Sequence, residues 1–295
     1  MPELPDVLAY CRALGPRIID RPLESCRIVS PFFLRSVDVD PESCIGRHVI
    51  GVRNIAKRLV IELEGDVFFV IHLMIAGRLR WFGLDAKPPG KIVQATFGFS
   101  EGRLAVTEAG SKKRASLHVV QGAEALSTFH RGGVDPLAVT AAEFQTMLAR
   151  SGRTLKRWLT DPTVLAGIGN AYSDEILHAA CLSPFKSCAK LDESQIERLH
   201  RAMRQTLQIW IDRLAERFER RFPGAGDITA FRPEFAVHGK FGEPCPVCAT
   251  RVERIRFVDR EFNYCPRCQT GGKILADRSL SRLLGEDWPK TVDDT

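Results

Sequence analysis

No stretch of the 295 residues approaches the roughly 18 consecutive apolar positions of a membrane-spanning helix, so no membrane protein of that kind is expected. The opening Met1-Pro2-Glu3-Leu4-Pro5-Asp6 lacks a basic stretch leading into an apolar segment, which excludes a secretory signal and predicts a non-secreted, cytoplasmic protein. Internal repeats and low-complexity tracts are also missing, which argues against a solenoid or a disordered tail. The charge excess is small: 42 Lys and Arg against 36 Asp and Glu leave +6, enough to permit nucleic-acid binding without requiring it. Nor is there a disulfide framework. Five of the nine cysteines (Cys11, Cys26, Cys44, Cys181, Cys188) are scattered singly, and only the other four are grouped.

What is present is enough apolar material, 44% of residues, for more than one core. After Pro5, which suits a first helical turn, Val7, Tyr10, Cys11, Leu14 and Ile18 recur at helical spacing. Short apolar runs at Leu59–Leu63, Val67–Leu73, Ala95–Phe99, Arg103–Thr107 and Ser116–Val120 predict the strands of a sandwich or barrel. The Val67–Leu73 run is apolar on both faces, as in a strand buried between layers. Arg131–Pro136 reads as a linker, and beyond it the period turns helical. Helices are expected from Thr140, capped with Glu143 in a capping box, to Leu148, and over Thr154–Leu159, Ala171–Ala180 and Asp192–Phe218. Phe222–Phe241 is rich in Gly and Pro and reads as loop.

Cys245-Pro246-Val247-Cys248 and Cys265-Pro266-Arg267-Cys268 are two C-x₂-C knuckles separated by 16 residues. Four thiolates from two neighbouring turns match the tetrahedral preference of one structural Zn²⁺, and leave no open position for a catalytic water. The intervening residues predict a zinc-tied β-hairpin bearing Arg251, Arg254, Arg256, Arg260 and Arg267, suited either to phosphate contact or to a solvated face. Between two helices, Gly167-Ile168-Gly169-Asn170 combines close backbone approach with a helix N-terminus. It reads either as a phosphate site or as a tight turn without a ligand.

In this order, Pro2-Glu3-Leu4-Pro5-Asp6-Val7, Ala56-Lys57-Arg58, His72-Leu73, Gly167-Ile168-Gly169-Asn170 and the cysteine pairs resemble the formamidopyrimidine-DNA glycosylase/endonuclease VIII family over roughly residues 1–270. The resemblance implies an α+β, multidomain fold. An N-terminal catalytic β-sandwich with a leading helix (1–130) would precede a helix–two-turn–helix domain (131–240), a zinc-finger hairpin (241–270) and a C-terminal extension (271–295). It also implies a monomer that works on damaged double-stranded DNA, nucleoid-associated in a bacterium.

The implied chemistry is base excision coupled to strand nicking. Removal of Met1 exposes the Pro2 amine as nucleophile. Glu3 corresponds to the proton donor, Lys57 to a lysine that contacts phosphate and assists elimination, Arg260 to a catalytic arginine that grips phosphate and is linked to the second elimination, and Asn170 (beside Gly169) to a phosphate contact. His72, Met74 and Ile75 stand where the family inserts into the duplex. Two departures leave the lesion open. Asp6 replaces the usual Glu, and Thr107-Glu108-Ala109-Gly110-Ser111-Lys112-Lys113-Arg114 carries no aromatic plug, although Lys112, Lys113 and Arg114 suit phosphate. Oxidised pyrimidines, ring-opened purines, hydantoins and 8-oxoguanine all remain admissible, and so does a non-catalytic damage-binding protein on the same scaffold. In the extension, Ile274, Leu275, Leu280, Leu283 and Leu284 form an expected apolar face, with Asp277 as its helix cap and Gly285 as its stop.

Overall fold

The computed structural model describes residues 1–257, 260–277, 281, 283, 285 and 289–294. Two compact units emerge, the first comprising Met1–Gly132 with Ile209–Thr229, the second Gly133–Gln208 with Ala230–Thr295.

The first unit opens with helix α1 (Leu4–Ile18), which starts at Pro5 in its first turn and buries Val7, Tyr10, Cys11, Leu14 and Ile18. Eight strands follow: β1 (Ser25–Ile28), β2 (Val49–Ile55), β3 (Arg58–Leu63), β4 (Val67–His72), β5 (Gly77–Phe82), β6 (Val93–Phe99), β7 (Gly102–Glu108) and β8 (Ser116–Gln121). They form two antiparallel sheets ordered β2-β3-β4-β8 and β1-β6-β7-β5. Val67, Phe69 and Ile71 of β4 share one core with Phe97 and Phe99 of β6, Leu104 and Val106 of β7, and the apolar stripe of α1. Phe69 meets Phe97 across the sandwich with ring centroids 5.5 Å apart. The alternate residues Phe68 and Val70 face the other way, into a second cluster closed by Leu126 of the short helix α2 (Ala123–Ser127) and by Phe129. Both faces of β4 are therefore covered, which is why its sequence does not alternate. Leu214, Phe218 and Ile228 complete the main core, with Phe222 packed against it.

The second unit contains α3 (Ala141–Ala149), α4 (Leu155–Leu159), α5 (Asn170–Ala179) and the first part of α6 (Glu193–Arg217). At the start of α3 the Thr140 N–H donates to Glu143 Oε2 at 2.9 Å and the Glu143 N–H returns to Thr140 Oγ1 at 3.3 Å, the capping box expected there. Phe144 and Trp158 pack edge to face, 5.1 Å between centroids, in the interior of this unit. Strands β9 (Glu253–Phe257) and β10 (Arg260–Tyr264) make the expected antiparallel hairpin, followed by α7 (Pro266–Thr270).

The extension folds back on this hairpin. The Leu275 N–H donates to the Tyr264 hydroxyl at 2.7 Å, and the Asp277 carboxylate accepts the Arg256 N–H at 2.7 Å. Asp277 thus ties a strand, a use for its oxygen that its sequence position does not reveal. Leu280 and Leu284 lie outside the described residues.

Candidate active site and zinc-finger module

In the first unit the site begins at the N-terminus of α1. Pro2, Glu3 and Asp6 are all buried. Glu3 is the N-cap residue, with extended backbone, and its N–H donates to Asp6 Oδ2 at 2.8 Å within a reciprocal capping box. Asp6 therefore holds the backbone of Glu3, the role that a capping box gives to the carboxylate at the third helical position. The terminal amine of Met1 stands one residue ahead of the Pro2 amine that processing would expose. Burial pushes this amine below its ordinary value. Arg78 and Lys57 are near enough to push it the same way, and Glu3 and Asp6 oppose them. An amine that loses its proton more readily is a better nucleophile at neutral pH.

Lys57 reaches this neighbourhood because a two-residue turn, Ala56-Lys57, joins β2 to β3. Ala56 adopts left-handed backbone (φ +51°), a conformation costing a non-glycine residue roughly 1–2 kcal/mol. His72 ends β4 opposite Arg58 on one side and Ser116 on the other. Burial, reinforced by Arg58, Lys57, His118 and Arg131, pushes its imidazole down to about 4, so it is neutral at physiological pH. In the following turn Met74 takes φ +53°, where a glycine would be unstrained, and Ile75 stands 63% exposed at the tip. Gly77 closes this turn by donating its N–H to the Leu73 carbonyl at 2.9 Å. A Cβ on Gly77 would lie 2.1 Å from that carbonyl oxygen, so no other residue fits.

The Gly110–Arg114 segment is organised by a residue that sequence reading passed over. The buried Glu108 carboxylate accepts the N–H groups of Arg114 (2.9 Å) and Ala115 (3.2 Å), and the Lys113 ammonium bonds the Glu108 carbonyl. Lys112, Lys113 and Arg114 are held at the surface as a result. Glu108→Ala is expected to cost on the order of 2–3 kcal/mol through these lost charge-assisted bonds, read as a lower Tm. Limited trypsinolysis should then cut faster at Lys112, Lys113 and Arg114. An unchanged Tm and digestion pattern would refute this assignment.

In the second unit Gly167 takes φ +91° ahead of α5, and Asn170 is the first residue of that helix. The Asn170 side-chain amide donates to the Glu261 carbonyl of β10 at 2.7 Å. Beneath it lies a charged network with no sequence motif. Lys156 is 1% exposed; its ammonium donates to the Asn170 carbonyl (2.7 Å) and to Asp174 Oδ1 (2.5 Å), and sits 4.9 Å from the Phe262 ring centroid. Asp174 Oδ2 also takes His238 Nδ1 at 2.6 Å and the Asn263 N–H at 3.2 Å. Glu175 accepts three successive backbone N–H groups, from Ala236, Val237 and His238, at 2.7–2.9 Å; burial nevertheless pushes its pKa up. The only available signal for this network was charge at positions of α4 and α5 that helical periodicity assigns to the interior.

Cys245, Cys248, Cys265 and Cys268 converge with their sulfurs within 4.8 Å of one another, the closest pairs at 3.4, 3.5 and 3.9 Å. Tetrahedral Zn–S bonds of about 2.3 Å would set sulfurs about 3.8 Å apart, so the donor set fits the ion. Arg254 stacks 4.0 Å from the Phe241 ring centroid and shares Glu261 with Arg256. The Arg260 side chain lies outside the described residues.

A helix-led β-sandwich, a helical segment and a four-cysteine hairpin together define a multidomain α+β protein with a zinc-finger module. Family profiles match the formamidopyrimidine-DNA glycosylase N-terminal domain at residues 1–112, the formamidopyrimidine-DNA glycosylase H2TH domain at 133–219, and a zinc finger found in FPG and IleRS at 242–271. The formamidopyrimidine-DNA glycosylase of Heliobacterium modesticaldum is 30% identical over 277 residues, covering 91% of this chain and 100% of the relative. An uncharacterised formamidopyrimidine-DNA glycosylase-like protein of Mycobacterium tuberculosis is 44% identical over 152 residues, covering 52% of this chain and 93% of its own length. Among solved structures, the Lactococcus lactis enzyme bound non-covalently to DNA containing an AP site superposes with a TM-score of 0.78 at 26% identity, covering 91% and 99% of the two chains. The same enzyme with N7-benzyl-Fapy-dG DNA gives 0.80 at 27%, covering 91% and 100%. The chain belongs to the formamidopyrimidine-DNA glycosylase family, a family of DNA-repair glycosylases. Among the described residues no helix is long and apolar enough to cross a membrane.

Proposed function

We propose that this protein is a bifunctional DNA glycosylase and AP lyase that removes oxidised or ring-opened bases and then nicks the strand. The observation that carries the proposal is the buried Pro2-Glu3 start of α1, its backbone held by Asp6, in a chain whose residues 1–112 match the formamidopyrimidine-DNA glycosylase N-terminal domain. After loss of Met1, the Pro2 nitrogen lone pair attacks C1′ of the damaged nucleotide; the C1′–N bond forms as the glycosidic bond breaks, and the base leaves with its electron pair and takes up the proton that the Pro2 nitrogen sheds. Glu3 donates a proton to the ring oxygen as the sugar opens, leaving an iminium between Pro2 and C1′. The iminium acidifies the adjacent C2′ proton. Its removal expels the 3′ phosphate, with Lys57 assisting, and water then releases the opened sugar from Pro2. Asp6 acts through Glu3, whose backbone it holds.

In the same reading Lys112, Lys113, Arg114, Gly169, Asn170 and Arg260 hold phosphate, His72 enters the duplex with the turn that follows it, and Met74 or Ile75 fills the space that a flipped base leaves. One structural Zn²⁺ on Cys245, Cys248, Cys265 and Cys268 cross-links the hairpin. The working species is a monomer on damaged double-stranded DNA in the cytoplasm, with its domains divided at about residues 130, 240 and 270.

Borohydride reduction in the presence of an abasic-site duplex tests this. The expected result is a covalent protein–DNA adduct at the N-terminus, with a nicked strand when borohydride is omitted. Bound DNA with neither adduct nor nick, across a panel of lesions, would instead mark a damage-binding protein.

A further inference from the structure

Three side chains on one stretch of α5 face the hairpin module. Glu175 holds the backbone of Ala236, Val237 and His238 ahead of the first cysteine knuckle, and Asp174 holds that of Asn263 ahead of the second. The third, His178, lies one helical turn beyond Asp174 on the same face. It is buried, 6% exposed, and its Nε2 lies 3.3 Å from the sulfur of Cys245. Neither a knuckle motif nor a sequence spacing connects these two residues, which are 67 positions apart.

We infer that His178 is a positioning residue for the metal centre, donating an Nε2–H hydrogen bond to the Cys245 thiolate and locking the first knuckle onto α5. The inference rests on the zinc reading above. The physical case has three parts. A thiolate that bonds a cation still carries excess charge, and in a buried site a neighbouring N–H stabilises that charge where water does not reach. The geometry suits a hydrogen bond to sulfur, which is longer than one to oxygen, and the four sulfurs are already closely grouped without the histidine. His178 therefore acts on a ligand and need not be one. Because α5 also starts at Asn170, the bond makes the knuckle and the Gly169-Asn170 turn parts of one rigid element.

The test compares full-length wild type with His178→Gln, which keeps a side-chain N–H, and His178→Phe, which fills the space without a donor. Metal content is measured first. One zinc per chain is expected, and its absence from wild type would overturn the four-thiolate reading itself. With zinc bound, its release to excess chelator, followed with a chromogenic zinc indicator, should be about 10–100-fold faster or tighter-competed in the Phe variant, with Gln near wild type. In the cobalt-substituted protein, the thiolate-to-metal absorption band should shift in the Phe variant and be restored by Gln. Equal release and equal spectra in all three proteins would overturn the inference. Should the Phe variant fail to fold, ¹⁵N NMR of zinc-loaded wild type decides: a proton on Nε2 of His178 supports the bond, and an unprotonated Nε2 rules it out.

Discussion

A chain that keeps its initiator methionine, or whose processed terminus is acetylated, will form no borohydride-trapped adduct, and its base excision will fall on the order of 10³-fold or more, as expected when a covalent nucleophile is lost and binding remains. An exposed α-amine titrates near roughly 7.7–8.0 against about 10.4 for lysine. Burial, helped by Arg78 and Lys57, lowers the Met1 amine one residue ahead, and Pro2 is itself buried. Only the unprotonated amine attacks, so trapping should rise with pH, and its midpoint should lie below that of an exposed α-amine. Pro2→Gly, which puts a primary amine in place of the secondary one, should trap at a reduced rate. Glu3→Gln should lower base excision by about 10²–10⁴-fold, the usual contribution of a general acid, while still trapping pre-formed abasic sites whose sugar is already open. Mass spectrometry of the trapped peptide locates the adduct. An adduct on Lys57, or full activity with Met1 in place, would refute the assignment.

The second large effect concerns stability. Lys156→Ala should cost about 3–5 kcal/mol, because it leaves the carboxylate of Asp174 buried beside His238 without its cation. That is a large share of the roughly 5–15 kcal/mol that holds a typical domain together. Hydrogen exchange should quicken in the amides that this network holds, those of Ala236, Val237, His238 and Asn263. Removing both charges as Lys156→Met with Asp174→Leu should cost less than the sum of the two single changes, since a charge without its partner, more than the lost pair, carries the penalty. Strict additivity in urea unfolding would show that the two side chains are energetically independent.

Much of the fold is legible in residue order because local physics determines it. The stripe from Val7 to Ile18, the Thr140–Glu143 box and the apolar runs of the sandwich each bury or cap what their spacing implies. β1, β2 and β5 are not legible in the same way. β1 and β2 alternate imperfectly, each with two exposed residues, and β5 carries Arg78 and Arg80 on either side of its buried Leu79. The cysteine knuckles were readable because a metal demands four donors at short spacing, whichever fold surrounds them.

Sequence alone also determined which residue types stand at the terminus: a proline that can become a free secondary amine, followed by a carboxylate. Only the tertiary structure decided that Pro2 would lie buried with Arg78 and Lys57 near the terminal amine ahead of it, that Asp6 would bind the Glu3 backbone, and that Glu108 would organise the basic segment after it. The same holds for Lys156, Asp174, Glu175, His178 and His238, whose partners lie up to 89 positions away. Hydrophobic period and metal-ligand spacing are local and repeat along the chain. The pairing of a buried charge is a single event between distant segments, and it leaves no period to read.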